Sequence, residues 1–319
     1  MIQEQYMQRC LQLAARGAGF VAPNPMVGAV LVYEDRIIGE GYHELYGGPH
    51  AEVNCIRQVA EVDKPLIKKS TLYVSLEPCN HFGKTPPCSE LIISQQIPRV
   101  VVACTDPFEK VNGSGIARLS EAGVEVITGV LEKEARYLNR RFFTFHQQHR
   151  PYIILKWAQS QDGFIAKEGF EPISISNDVS NRLVHKWRSE EAAIMVGYQT
   201  AISDNPKLTN RLWPGKSPVR IVIDKELRLP ATANLLDHSI QTIILNSKKE
   251  EISGNTIFHW YKEGDDLVKI VCDLLFQRNL SSLIVEGGTR LLQSFIDAET
   301  WDEARVIVNS EMQLQKGIA

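Results

Sequence analysis

Four side chains in the first third of the chain have the types and spacing of a hydrolytic metal centre. They are His50 and Glu52 in the run Pro49-His50-Ala51-Glu52, and two cysteines that each follow a proline, Cys79 and Cys88, with eight residues between them. A hydrolytic Zn²⁺ takes three protein ligands of nitrogen and sulfur type and keeps a fourth position open, where water becomes acidic near pH ~7. One histidine and two thiolates meet that count. Glu52 then falls within reach of the water without ligating, free to take its proton and hand it to a departing amine. Each Pro-Cys dipeptide is expected at a helix start, where unpaired amides favour thiolate over thiol. Any one of these residues alone reads more simply as a capping histidine or a small core cysteine. All of them together, in this order, read as a site. The remaining cysteines, Cys10, Cys55, Cys104 and Cys272, fall on apolar faces or in strands and read as structural.

The elements that must position these residues alternate between two periodicities. Tyr6 to Ala14 carries apolar residues three and four apart, as an amphipathic helix does. Strand runs follow at 27–32 and 36–41, forming a hairpin, and a helix is expected from about His50 to Ala60. Strands at 71–76, 100–104 and 124–127 then alternate with helices at 89–95 and 115–122, and a single helix is expected over 132–145. This is an α/β sandwich. The polar run His146-Gln147-Gln148-His149-Arg150 before Pro151 marks a boundary, giving domains 1–147 and 148–319. The second domain reads as strands at 152–157, 192–196, 220–223, 242–245, 282–285 and 304–309, with helices from Asp178, over 265–278 and from Thr289.

The bulk properties narrow the chemistry. A chain of 319 residues is long for one core. A net charge of −3 and a pI near 6.3 provide no basic field for a nucleic-acid backbone, so a small-molecule substrate is expected. No apolar run approaches a membrane span, and the N-terminus lacks the order of a signal peptide, so a cytoplasmic protein without a membrane partner is expected. Scattered cysteines in that setting argue against a disulfide framework.

These residues resemble the bifunctional deaminase-reductase family of riboflavin biosynthesis. The match is carried by Ala22-Pro23-Asn24-Pro25-Met26-Val27-Gly28, Gly41-Tyr42-His43, Pro49-His50-Ala51-Glu52 and Leu76 to Cys88, whose long cysteine spacing is particular to this branch of the zinc deaminases. The resemblance implies an N-terminal cytidine-deaminase-like three-layer sandwich and a C-terminal dihydrofolate-reductase-like α/β domain. It implies Zn²⁺ on His50, Cys79 and Cys88, with Glu52 as proton carrier and Asn24, His43, His81 and Lys84 against a pyrimidine ribotide. The chain departs from the family at Ala22 and at Asp106-Pro107-Phe108-Glu109.

Read by itself, the second half offers only Asp204-Asn205-Pro206 and the turn Glu286-Gly287-Gly288, which is either a tight turn or a phosphate cradle at a helix start. The resemblance continues through Leu155 to Gly163, Val196 to Thr200, Asp204 to Arg211 and Glu286 to Thr289. It implies NADPH bound by Ala158, Ser174, Thr200, Asp204, Gly288, Thr289, Arg290, Leu291, Leu292, Gln293 and Ser294. Arg188, Leu208, Arg211 and Glu286 would face substrate, with Asp204 and Glu286 assisting proton movement. The run Ser174-Ile175-Ser176 departs from the family, and the reductase domain is expected to be short at its C-terminus. A homo-oligomer is expected. The implied activity is deamination of 2,5-diamino-6-ribosylamino-4(3H)-pyrimidinone 5′-phosphate followed by NADPH-dependent reduction of the ribosyl chain. Two other readings stand beside it: a deaminase of another nucleobase fused to an unrelated domain, which the acidic pI and long cysteine spacing disfavour, and a zinc-stabilised module without catalysis, in which Glu52 would be dispensable.

Overall fold

The computed structural model describes residues 3–81, 86–109, 111–167 and 175–318. The chain forms two compact units, residues 1–148 and 149–319.

In the first unit a five-stranded sheet takes the order β2-β1-β3-β4-β5, with β1 (Gly28–Tyr33), β2 (Arg36–Tyr42), β3 (Thr71–Val74), β4 (Arg99–Val102) and β5 (Glu125–Thr128). β1 pairs antiparallel with both β2 and β3, whereas β3, β4 and β5 run parallel. Side chains on a strand alternate between faces, and here each face carries a helical layer. Ala29, Leu31, Leu72, Val74, Val100 and Val102 pack against α2 (Ala51–Arg57), α3 (Cys88–Ser94) and α4 (Ser114–Glu121) through Cys55, Ile92 and Leu119. Val30, Val32, Tyr73 and Val101 pack on the other side against Met7, Cys10 and Leu13 of α1 (Glu4–Ala15) and against Phe142 and Phe143. The three-layer sandwich is thus present, and Cys10, Cys55 and Cys104 lie buried in it.

The expected single helix over 132–145 is instead two, α5 (Glu132–Leu138) and α6 (Arg140–Gln148). The break falls at Asn139, which is 2% exposed. Its side chain accepts from the Met26 N–H and donates to the Met26 carbonyl, both at 2.8 Å. Those bonds tie the Asn24 loop to the helices. The sequence reading also passed over a 3₁₀ segment at Glu61–Lys69.

The second unit holds an eight-stranded sheet in the order β10-β11-β9-β8-β7-β12-β6-β13. Its strands are β6 (Tyr152–Ser160), β7 (Ala193–Val196), β8 (Val219–Ile223), β9 (Thr242–Asn246), β10 (Glu251–Ser253), β11 (Thr256–Trp260), β12 (Ser282–Val285) and β13 (Glu303–Asn309). All pairings are parallel except β10 with β11. Parallel strands covered on both faces read as continuous apolar runs, which is why the central strands were legible. One face packs on α9 (Leu267–Gln277) and α10 (Thr289–Asp297), the other on Trp187 of α7 (Asp178–Glu190) and Ala201 of α8 (Tyr198–Asp204). The hairpin β10–β11 and the helix α8 had no counterpart in the sequence reading.

Candidate functional site

α2 carries two of the four expected residues because it lies almost on the backbone of β2. A Cβ on Gly41 would stand 2.2 Å from the Cys55 nitrogen, so only glycine permits the approach. His50 is the residue before the helix, in extended conformation, and Glu52 sits in its first turn. The histidine thereby points across to the segment after β3, while Glu52 is driven inward to 3% exposure.

His50 Nδ1 stands 3.5 Å from Cys79 Sγ and 3.3 Å from Cys88 Sγ. The three donor atoms lie within 4.8 Å of one another. Tetrahedral Zn²⁺ with its usual Zn–N and Zn–S bond lengths sets nitrogen-to-sulfur edges of about 3.6 Å, so this donor set fits the ion in both element type and spacing. Among the described residues no other group of histidine, cysteine and carboxylate side chains gathers in this way. Cys88 opens α3 as expected. Cys79 does not stand at a helix start; it lies in the irregular segment between β3 and α3. Its amide partner comes instead from the neighbouring ligand, whose backbone N–H donates to Cys79 Sγ at 3.4 Å.

The electrostatics suit a dication. Hydrogen bonding from Cys88, with His50 alongside, holds the Cys79 thiol down to about 4, and the same pairing together with burial pushes Cys88 up. Two thiols this close give up one proton readily and the second with difficulty; a bound cation favours loss of both. Hydrogen bonding to Cys79 raises His50 to about 9. Burial pushes the Glu52 carboxyl up from its ordinary value, the direction that suits a group which must both accept and return a proton.

Around this set, the His43 ring meets the His50 ring edge to face, with centroids 5.6 Å apart, and Asn24 Nδ2 stands 3.2 Å from His43 Nε2. His81 stacks edge-on with Phe108, and its Nδ1 is buried with no partner among the described residues. Lys84 falls outside the described residues. The sequence reading missed Glu77. Buried at 4% exposure, its carboxylate accepts backbone N–H groups from Asp106, Gly113, Gly115 and Ile116 at 2.9 to 3.3 Å. Gly115 seals the contact, since a Cβ there would meet the Pro78 carbonyl at 1.9 Å. Asp106, Gly113, Gly115 and Ile116 are thus fastened to the two residues before Cys79. The signal in sequence was a carboxylate inside an apolar run, Leu76-Glu77-Pro78. Burial, aided by the nearby Glu77 and Cys79, pushes Asp106 up to about 7.

In the second unit the expected residues gather at the carboxyl ends of the adjacent strands β7, β12 and β6, where open α/β sheets bind ligands. Ala158 lies near the end of β6, Thr200 in α8 just beyond β7, and Gly288 just beyond β12. The Gly197 N–H donates to the Gly287 carbonyl at 2.9 Å, and a Cβ on Gly288 would come 3.2 Å from Thr200 Oγ1. α10 begins at this turn, leaving unpaired N–H groups at the surface that a cofactor phosphate fits. Thr289 opens the helix and Arg290 and Gln293 are exposed on it, whereas Leu291 and Leu292 point their side chains into the core. Ser294 returns its hydroxyl to the Leu291 carbonyl. Asp204 is exposed at the end of α8. Ser174 falls outside the described residues.

Arg188 does not lie on a solvated helix face. It donates to both oxygens of Glu286 at 3.1 and 2.7 Å and to the Thr209 carbonyl at 3.3 Å. Arg211 is placed beside it through its N–H, which donates to His185 Nδ1 at 2.8 Å. Leu208 is buried in the core, with its backbone in the left-handed region. Burial alone would raise Glu286, but Lys156 and Arg188 outweigh it and hold the carboxyl down at about 2. It is therefore an ion near neutral pH, fitted to accept hydrogen bonds rather than to donate protons.

Residues 1–104 match the cytidine and deoxycytidylate deaminase zinc-binding region, and residues 151–312 match the RibD C-terminal domain. The riboflavin biosynthesis protein RibD of Aquifex aeolicus is 43% identical over 96% of this chain and 86% of its own length. RibD of Escherichia coli is 35% identical over 97% and 88%. Among solved structures, a diaminohydroxyphosphoribosylaminopyrimidine deaminase/5-amino-6-(5-phosphoribosylamino)uracil reductase from Thermotoga maritima superposes with a TM-score of 0.89 at 36% identity, covering 99% of this chain and 88% of that one. Acinetobacter baumannii RibD gives the same TM-score at 32% identity, covering 99% and 89%.

Proposed function

The chain belongs to the RibD family of riboflavin-biosynthesis deaminase-reductases, and on that premise we propose which of its residues carry each reaction. The protein is a zinc-dependent deaminase in its first unit and an NADPH-dependent reductase in its second. Its substrate is the ribosylaminopyrimidinone phosphate that the family deaminates and then reduces.

His50, Cys79 and Cys88 would hold the zinc ion, which when bound would supply a Lewis acid that acidifies water. Glu52 would hold a proton beside the departing amine of the pyrimidine ring and release it there. Its burial, and its place in the first turn of α2 two residues after the ligand His50, support this role. Asn24, His43 and His81 orient the heterocycle, and Lys84 is assigned to the ribotide by the family resemblance. The observation that carries the reading is the His50, Cys79 and Cys88 donor set beside one buried, non-ligating carboxylate.

In the second unit NADPH supplies the hydride when bound. The turn at Gly288 with the start of α10, together with Ala158, Ser174, Thr200 and Asp204, holds the cofactor. Arg211 suits a ribose phosphate by bidentate pairing, and Arg188 with Glu286 frames the ribosyl chain. These roles divide at the boundary between residues 147 and 148. We place the enzyme in the cytoplasm, since no helix of the described residues is long and apolar enough to cross a membrane. A homo-oligomer is supported by exposed Val306 and Val308 on the edge strand β13. Ammonia release from the diamino ribotide by zinc-loaded protein, followed by NADPH oxidation, tests the assignment; zinc-loaded protein that releases no ammonia refutes it.

A further inference from the structure

Arg220, on β8, is fully buried, and all of its guanidinium N–H groups meet acceptors, each on a different residue. Nε donates to Thr242 Oγ1 at 2.8 Å. One terminal nitrogen donates to the carbonyls of Asn234 and Lys207 at 3.0 and 3.4 Å, the other to Asp237 Oδ1 and the Ile240 carbonyl at 2.7 and 3.1 Å. A buried ion pair is weak evidence of stabilisation, because well-packed apolar side chains commonly serve as well. What directed bonds do supply is a fixed geometry for the groups that receive them. Here those groups are mostly loop backbone: residues 234–240 ahead of β9, and Lys207 in the segment that follows α8. With its donors used in this way, Arg220 has none left for a ligand.

The segment after α8 is held along its length. Asn205 and Asn234 bond each other reciprocally, the Asn234 N–H donating to Asn205 Oδ1 at 2.8 Å and Asn234 Nδ2 to the Asn205 carbonyl at 2.6 Å. Leu208 has a φ of 52°, which a leucine adopts only where its surroundings impose it. The carbonyls on either side of it are the ones that arginines grip, Lys207 by Arg220 and Thr209 by Arg188. The segment then ends with the Arg211 N–H on His185 Nδ1.

We propose that Arg220 and Asn234 are positioning residues for the reduction: by fixing residues 205–208 they set Leu208 and Arg211 against the ribotide. The proposal rests on the reductase reading above. It also separates the substrate's side of the site from the cofactor's, since among the described residues neither Arg220 nor Asn234 bonds to Thr200 or to the Gly288 turn.

The test uses the full chain with NADPH and the deaminated ribotide. Asn234→Ala removes one donor at the surface, and Arg220→Met removes the buried ones. In Asn234→Ala, kcat/KM for NADPH oxidation should fall by about tenfold, chiefly through KM for the ribotide, and further in Arg220→Met. The Kd of NADPH, read by quenching of tryptophan fluorescence, should stay within about twofold. Asn205→Gly keeps the left-handed backbone and loses Oδ1; combined with Asn234→Ala it should cost no more than the worse single change, because one clasp is lost only once. Amide hydrogen exchange without ligands should quicken over residues 205–211 in each variant. An unchanged KM for the ribotide in Asn234→Ala, or equal weakening of ribotide and NADPH, overturns the proposal, and this surface variant decides it where Arg220→Met does not fold. A wild type that binds NADPH but oxidises none with the ribotide refutes the reductase reading instead, and the positioning role falls with it.

Discussion

At the scale of single residues, two buried carboxylates do opposite things for reasons visible in their neighbours. Among the described residues no cationic side chain is hydrogen-bonded to Glu52 and burial dominates, so its carboxyl is pushed up. Glu286 is somewhat less enclosed, its side chain 8% exposed, and Lys156 and Arg188 hold it down at about 2. A carboxyl depressed in the folded state contributes stability that is present above its unfolded pKa and lost as pH falls through its folded one. Unfolding of the second unit should therefore become easier as pH falls from about 4.5 to about 2. Glu286→Gln should flatten that dependence while lowering stability at neutral pH, because Arg188 keeps its burial and loses its counter-charge; thermal unfolding across that pH range checks both. The zinc ligands and Glu52 were readable from type and spacing. The Arg188 pair was not, because Arg188 and Glu286 are far apart in sequence and Arg188 shares its helix with charged, solvated neighbours.

At the scale of elements, the sheets were legible wherever apolar residues kept one period, as in β3 and β4 of the sandwich and β12 of the second unit. It was not legible where a side chain interrupts an element through a distant partner. Asn139 divides a continuous helical pattern because both polar ends of its amide bond the Met26 backbone, and nothing near Asn139 in the sequence announces that. Asn139→Ala should leave the Met26 N–H and carbonyl buried without partners, costing about 2 to 4 kcal/mol and loosening the loop that carries Asn24. The expected result is a lower unfolding temperature for the first unit and a raised KM for deamination, with zinc content unchanged. Cys79 teaches the same lesson in reverse. A helix start was expected there from Pro-Cys, whereas the amide that stabilises its sulfur comes from Cys88.

At the scale of the whole molecule, the chain carries two α/β units with separate sheets and cores, and the donor set for zinc lies wholly within the first. Removing zinc with a chelator should abolish ammonia release while NADPH oxidation continues on a deaminated ribotide; loss of both together would contradict the assignment of the metal to one reaction. The central claim is that this donor set works with Glu52 as a hydrolytic deaminase. The most direct test is the rate of ammonia release from the diaminopyrimidinone ribotide by wild type and Glu52→Gln, each carrying one zinc ion per chain. The account predicts release by wild type and a fall of about 10² to 10⁴ in kcat for the variant. A Glu52→Gln protein that holds its zinc and keeps the wild-type rate would contradict it.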